Sequence, residues 1–286
     1  MPEDEDKYPS ETGRRRFVKG VVGSAALAAV GTGSAAAIST ATSPTGAGGG
    51  PTQYIGIHNV SGPAPRGMPM IPIEITDAGE LKGVWPEVTT KTEAGRQIKV
   101  AETEIGGFTF SSEWFQYCGV QTYASLQPDA DQDNFFRTAA GSPYDWQTQD
   151  PGTKLTVDMF DDYKSWGNGI GKSGIGKPAQ GMWRSKGDVK SLPVQVIRSE
   201  RVPKIAKGEG KYADIPENVR KFFDAATAKS FVAWLDKCTH FCCVPGFKTS
   251  TYANAEDLVY CPCHQSIYDP FHPVQKQFIA LPRPNE

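Results

Sequence analysis

Two short segments near the C-terminus hold most of the cysteine of this chain and half of its four histidines. The first reads Cys-Thr-His-Phe-Cys-Cys from Cys238, and the second reads Cys-Pro-Cys-His-Gln-Ser from Cys261. Each segment offers one thiolate and one imidazole, spaced Cys-x-His in the first and Cys-x-x-His in the second. Two thiolates with two imidazoles suit either a tetrahedral zinc ion or the two-iron cluster in which histidines replace two thiolates on one iron.

Two further cysteines in these segments favour the cluster over zinc. Cys243 and Cys263 follow the first cysteine of their own segment closely, so they are well placed to tie the two loops together. A zinc ion closes its own loop and needs no such tie. A cluster held between two long exposed loops gains from one, because a cross-link limits how far the loops can part.

The combined pattern Cys-Thr-His-x-x-Cys and Cys-Pro-Cys-His-x-Ser-x-Tyr resembles the Rieske iron–sulfur proteins of quinol-oxidising cytochrome bc-type complexes. The resemblance covers roughly residues 228–286 by motif, and the N-terminus by arrangement only. It implies a [2Fe–2S] cluster as the cofactor. The roles that it implies are these: Cys238 and Cys261 bind the buried iron, His240 and His264 bind the exposed iron, Cys243 and Cys263 form a disulfide, and the Ser266 and Tyr268 hydroxyls hydrogen-bond to the cluster sulfurs and raise the potential.

The chain departs from the family at Cys242 and Gln265, where the family usually has glycine. Glycine adopts a positive φ without steric cost, so these two turns are expected to differ slightly from the family's. The adjacent Cys242 and Cys243, with the C-terminal Leu281–Pro284, resemble a halophilic-archaeal branch of the family.

Two cysteines, Cys118 and Cys242, remain once Cys238 and Cys261 are assigned as ligands and the other two as the implied disulfide. An even remainder in an exported protein is compatible with a second disulfide between them. The alternative is two unrelated buried thiols, because free cysteine packs well in protein cores.

Residues 14–41, near the N-terminus, indicate export and a membrane anchor. Arg14-Arg15-Arg16-Phe17-Val18-Lys19 resembles a twin-arginine signal. Residues 20–41 carry no charge and are long enough to cross a bilayer as a helix, and the preceding basic residues assign the N-terminus to the cytoplasm. We therefore expect a cytoplasmic tail (1–19), a single transmembrane anchor (20–41) and a flexible linker (42–66), with the remainder on the extracytoplasmic side. Small residues around Ala35–Ala37 leave cleavage of the signal open.

The rest of the chain, residues 67–286, is predicted to be mainly β. Thirty glycines and 22 prolines favour a loop-rich β protein. Runs with period-2 or β-branched character predict an antiparallel β-sandwich, and 218–229 is the best candidate for a short helix. The predicted strands are 54–60, 70–75, 97–105, 108–117, 154–160, 192–202, 231–237, 258–261 and 276–281.

The resemblance divides this region into a Rieske-type β-sandwich base and a small cluster-binding subdomain with loops 238–247 and 261–274. Residues 118–190 are interpreted as an insertion in the base. Within it, the glycine-rich run 167–176 is expected to be a surface loop. His272 is expected in the proline-rich loop that covers the cluster, and both His272 and His58 are assigned packing or solvent roles.

The function implied by the resemblance is that of the electron-transfer subunit of a membrane quinol:cytochrome, or quinol:copper-protein, oxidoreductase. His264 would contact the quinol and accept its proton. The implied partners are a cytochrome b-type membrane subunit, a cytochrome or copper-protein acceptor, quinol and membrane lipid. A formal charge of −2 gives no reason to expect a nucleic acid.

Three alternatives remain at this point. The chain also suits the small subunit of an exported oxidase such as an arsenite oxidase, a Rieske oxygenase component or its ferredoxin, or a structural zinc protein. An oxygenase needs a 2-His-1-carboxylate iron site elsewhere, and only His58 and His272 are left to build it.

Overall fold

The computed structural model describes residues 50–281 except 94, 148–149 and 187–188. Among these residues no helix is both long enough and apolar enough to cross a membrane. The predicted cytoplasmic tail, the predicted anchor and the start of the predicted linker, residues 1–49, lie outside the described part of the chain.

The described chain is mainly β, with antiparallel sheets, as the sequence predicted. Its strands are β1 (Gly50–Ser61), β2 (Met68–Pro69), β3 (Ile73–Ile75), β4 (Leu81–Gly83), β5 (Val88–Glu93), β6 (Arg96–Ile105), β7 (Phe108–Ser111), β8 (Arg137–Thr138), β9 (Lys177–Trp183), β10 (Leu192–Arg198), β11 (Phe231–Leu235), β12 (Gly246–Phe247), β13 (Val259–Tyr260) and β14 (Ile267–Ala280). Two α-helices, α1 (Arg201–Lys207) and α2 (Glu217–Ala226), follow β10. Short 3₁₀ turns occupy Ser112–Phe115, Val120–Thr122, Ala124–Leu126, Val157–Phe160, Gly210–Tyr212 and Tyr252–Asn254.

A five-stranded sheet in the order β12-β13-β14-β1-β2 carries the second cysteine loop. Its longest ladder joins β1 to β14, from Gly50 opposite Ala280 to Ser61 opposite Ile267. The prediction that the flexible linker extends to residue 66 is therefore wrong over β1. Buried side chains such as Tyr54 and Ile57 bind this segment to the core.

A four-stranded sheet in the order β11-β10-β9-β8 carries the first cysteine loop, which follows β11. Strand β9 pairs along its whole length with β10 on one side. On the other side its residues Gly181 and Met182 pair with β8. Because β9 lies inside the predicted insertion 118–190, that region supplies an inner strand of the sheet as well as surface loops. Met70 bridges to Trp234, so the β2 segment links the two sheets.

Several predicted elements end earlier than expected because a hydroxyl captures a backbone N–H. The predicted strand 108–117 stops at Ser111, whose side chain accepts from the Glu113 N–H and starts a 3₁₀ turn. The predicted strand 192–202 stops at Arg198, and Ser199 Oγ accepts from the Arg201 N–H at the start of α1. The prediction for 154–160 was wrong, since the segment forms isolated bridges and then a 3₁₀ turn.

The predicted helix at 218–229 is present as α2, displaced by a few residues. Its buried positions Val219, Phe222, Phe223 and Ala226 recur at helical spacing, and this periodicity is what made the helix predictable from the sequence. The large aromatic side chains Trp114, Trp183 and Trp234 are fully buried and form the centre of the core.

Candidate metal centre

The first cysteine loop is a tight turn that begins and ends on its own backbone. The Cys238 N–H donates to the Cys243 carbonyl at 2.8 Å, and the Cys238 carbonyl accepts from the Cys242 N–H at 3.0 Å. Cys242 has a φ of 67°, in the left-handed region. This turn directs the Cys238 side chain into the protein, where it is 1% exposed.

The second loop repeats this pattern after β13. The Cys261 N–H donates to the Ser266 carbonyl at 2.9 Å, and the Cys261 carbonyl accepts from the Gln265 N–H at 2.9 Å. Gln265 has a φ of 64°. Cys242 and Gln265, the two positions at which the family pattern of the sequence analysis usually has glycine, are thus both left-handed, although neither is glycine here. A side chain in this conformation costs roughly 1 kcal/mol or more.

The two loops bring the Cys238 and Cys261 thiols together in the interior. Both are free, buried and hydrogen-bonded to each other. The hydrogen bond from Cys261 holds the pKa of Cys238 well below its ordinary value, and the same bond, with burial, raises the pKa of Cys261.

Hydrogen-bond donors surround these two sulfurs. The Tyr268 hydroxyl lies 3.1 Å from Cys238 Sγ, and burial followed by this contact raises the pKa of Tyr268. Ser266, which is fully buried, also hydrogen-bonds to Cys238. The backbone donors are the N–H of His240 toward Cys238, and those of Cys263 and His264 toward Cys261. Such a set stabilises negative charge on sulfur.

The two predicted imidazoles lie on the outer side of the thiol pair. The ring centroids of His240 and His264 are 4.7 Å apart, and the rings are nearly perpendicular. His240 is half-buried and His264 is exposed. Nδ1 of His240 is buried without a hydrogen-bond partner among the described residues, which leaves its lone pair available to a metal. Two free thiols inside and two adjacent imidazoles outside fit the donor set of a histidine-ligated [2Fe–2S] cluster.

Two disulfides hold the loops. Cys243 pairs with Cys263, with Cα atoms 6.6 Å apart, and Cys118 pairs with Cys242, with Cα atoms 5.5 Å apart. The first pairing is the one that the resemblance implies, and the second is one of the two alternatives left open for Cys118 and Cys242. The sulfur atoms of Cys243, Cys261 and Cys263 lie within 4.8 Å of one another. Because two of these three are bonded to each other, the group offers one thiol ligand and not three.

Residues 62–67, which we call the covering segment, pack over both loops. The Ala64 N–H donates to Ser266 Oγ at 3.2 Å, and the Thr239 hydroxyl donates to the Arg66 carbonyl at 2.5 Å. Gly62 lies so close to the second loop that an added Cβ would meet the Gln265 carbonyl oxygen at 2.6 Å. Residues 62–66 belong to the predicted flexible linker, so that prediction is wrong here as well, and the contact with the site was not predicted.

The proline-rich stretch expected to cover the cluster belongs instead to β14. Residues 267–274, predicted as part of the second loop, are in this strand. His272 is exposed there, and its ring centroid lies 5.1 Å from that of His58, which is half-buried. Burial, followed by repulsion from His272, lowers the pKa of His58. Among the described residues no group of three metal-ligating side chains includes either histidine.

Gln180, on β9, joins the two ends of the first loop. Its Nε2 donates to the Asp236 carboxylate at 3.2 Å and to the Pro245 carbonyl at 2.7 Å. Asp236 is fully buried, and desolvation raises its pKa well above the ordinary value. This contact was not predicted, because Gln180 lies in the region that was interpreted as an insertion.

No protein-family model, no curated protein and no solved structure matches this chain.

Proposed function

We propose that the chain is a Rieske-type electron-transfer subunit of a membrane quinol:cytochrome, or quinol:copper-protein, oxidoreductase. The observation that carries the proposal is the arrangement of two buried thiols, ringed by hydrogen-bond donors, beneath two adjacent imidazoles at the surface. Hydrogen-bond donors to sulfur raise the reduction potential of an iron–sulfur cluster, which is the use that an electron-transfer protein has for them.

In this proposal Cys238 and Cys261 hold the inner iron of a [2Fe–2S] cluster, and His240 and His264 hold the outer one. When bound, the cluster takes up one electron and passes it on. Ser266 and Tyr268 donate to the Cys238 sulfur and favour the reduced, more negative state.

His264 is the residue that meets the quinol. Its side chain is exposed, whereas both thiols beneath it are buried, so it is the ligand accessible to a partner. An imidazole bound to an oxidised metal through one ring nitrogen can lose the proton of its other nitrogen, and that deprotonated nitrogen would accept the hydrogen bond, and then the proton, of a quinol hydroxyl. Phe241, 65% exposed, lies beside both imidazoles and adds an apolar surface next to this contact.

The membrane part of the proposal rests on residues 14–41. They would export the protein and hold it as a single-pass anchor, with the N-terminus in the cytoplasm and the cluster on the extracytoplasmic side. A cytochrome b-type subunit would supply the quinol site, and a cytochrome or copper protein would accept the electron.

The test is to purify the full chain and measure iron, acid-labile sulfide, the visible spectrum and the EPR signal of the reduced protein. We expect iron and sulfide in equal amounts. Replacing Cys238, His240, Cys261 or His264 with alanine should abolish the EPR signal, because an iron loses a required ligand. His272→Ala is the matched control, since this histidine lies outside the site, and it should keep the signal.

Zinc in place of iron would refute the proposal. Co-purification then decides the complex, because a cytochrome b-type subunit supports the proposal and a molybdenum enzyme supports the small subunit of an exported oxidase.

A further inference from the structure

Arg66 attaches the covering segment to the body of the protein through aromatic rings. Its Cζ lies 3.8 Å from the ring centroid of Phe278 on β14, 5.0 Å from that of Tyr117 and 5.6 Å from that of Tyr54 on β1. All three lie within the range of a cation–π interaction. Nη1 of Arg66 is buried and finds no hydrogen-bond partner among the described residues. The guanidinium is therefore held by stacking.

The backbone around Arg66 contacts both cysteine loops. The Arg66 carbonyl accepts from Thr239 on the first loop, and the Ala64 N–H donates to Ser266 Oγ on the second. The next carbonyl, that of Gly67, accepts from the Tyr54 hydroxyl at 3.0 Å. One short segment thus connects the aromatic rings beneath Arg66 with both halves of the metal centre.

The bond from Ala64 determines what the Ser266 hydroxyl can do. A serine hydroxyl has one proton to donate and two lone pairs that accept. The Ala64 N–H is itself a donor and occupies one of these lone pairs, so the hydroxyl proton has to point away from Ala64 toward another acceptor. Ser266 is fully buried and also hydrogen-bonds to Cys238. Its proton is thereby directed to the sulfur.

We propose that Arg66 is a positioning residue: seated on its aromatic cage, it presses the covering segment onto the two loops, and the Ala64 N–H then holds Ser266 as a donor to the Cys238 sulfur. The contact between the covering segment and Ser266 is a property of the folded chain itself. The consequence for the reduction potential rests on the proposed function.

The first test does not depend on the cluster. Hydrogen–deuterium exchange in the full chain reports on the Ala64 amide, which is readily resolved because the flanking Pro63 and Pro65 have no amide hydrogen. Arg66→Ala should speed this exchange roughly fivefold or more, the effect of losing one ordinary hydrogen bond. Arg66→Lys, which keeps the charge but not the stacked plane, should give an intermediate rate and guards against loss of folding in the alanine variant.

Arg198→Ala is the matched control. The Arg198 guanidinium also lies over two rings, those of Tyr163 and Phe231, but on another part of the molecule. It should leave Ala64 exchange unchanged. Unchanged Ala64 exchange in Arg66→Ala, with the fold intact, would overturn the proposal.

The second test is a double-mutant cycle on the midpoint potential. Arg66→Ala and Ser266→Ala should each lower the potential, and the double variant should match Ser266→Ala, because Arg66 acts through that hydroxyl. Additive shifts would overturn the proposal, since Arg66 would then act by its charge alone. A wild-type protein without iron would refute the proposed function, while the exchange test would still decide the role of Arg66.

Discussion

Removing the Cys118–Cys242 disulfide should destabilise the protein substantially, even when the new residue suits the local backbone better. The bond ties the first cysteine loop to a segment 124 residues earlier in the chain. The informative variants are Cys118→Ser with Cys242→Ser, and Cys118→Ser with Cys242→Gly. Both break the bond, but only the second provides a residue that adopts the left-handed conformation of position 242 without strain.

The expected magnitude follows from the length of the closed loop. On the chain-entropy model a loop of this size corresponds to about 5 kcal/mol, near the upper end of measured values. Relief of the left-handed conformation returns roughly 1 kcal/mol. The serine variant should therefore lose about 5 kcal/mol and the glycine variant about 4 kcal/mol. The Cys243–Cys263 bond closes only 20 residues, so its removal should cost less, about 3 kcal/mol.

The assay is equilibrium denaturation of the three variants and the wild type without reductant, with disulfides verified by non-reducing peptide mapping. The order of stability is the result that matters, because it comes from loop length and not from the absolute scale. A Cys118–Cys242 variant whose unfolding free energy is within about 1 kcal/mol of the wild-type value would refute the reasoning. So would a wild-type peptide with Cys118 alkylated as a free thiol.

Two further predictions concern potential and pH. Ser266→Ala and Tyr268→Phe should each keep the EPR signal but lower the midpoint potential, because each removes a donor to the Cys238 sulfur; unchanged potentials in both would contradict the tuning role. Burial is the largest single effect on Asp257 and disfavours its ionised form, but the hydrogen bond from the fully buried Lys248, at 2.9 Å, the Lys172 N–H and the nearby positive charges together outweigh it and lower the folded pKa below the ordinary 3.8. Asp257 therefore stabilises the fold above about pH 4 and stops doing so as pH falls through the lowered pKa, so Asp257→Asn should reduce the unfolding free energy at pH 7 by about 2–3 kcal/mol and flatten its decline in acid, as measured by denaturation at several pH values.

The sequence predicted the β class, helix α2 and the Cys243–Cys263 disulfide, because each depends on a strong local or pairwise signal. The Cys118–Cys242 disulfide stayed open, because spacing alone does not show whether two distant cysteines meet. Strand β9 was missed because Lys177–Trp183 contains proline and glycine and lacks alternation, so pairing with β10 on one side and β8 on the other decides its conformation. The predicted strand at 154–160 was wrong although the segment is apolar enough for a strand. Its apolar residues pack against the core from a 3₁₀ turn, without strand pairing.

The metal centre likewise has one part that the local sequence determines and another that depends on long-range contacts. Each cysteine loop closes on its own backbone within six residues, with the same pair of hydrogen bonds and the same left-handed fifth residue, so its geometry is encoded locally and is legible as a motif. The covering segment meets Ser266 across 202 residues, through one backbone N–H that carries no side-chain signature. Pro63 and Pro65 make this segment proline-rich, as expected of a loop that covers the cluster, but that loop was expected around His272. The donors that the sequence identified therefore depend, for their direction, on a contact that only the folded chain creates.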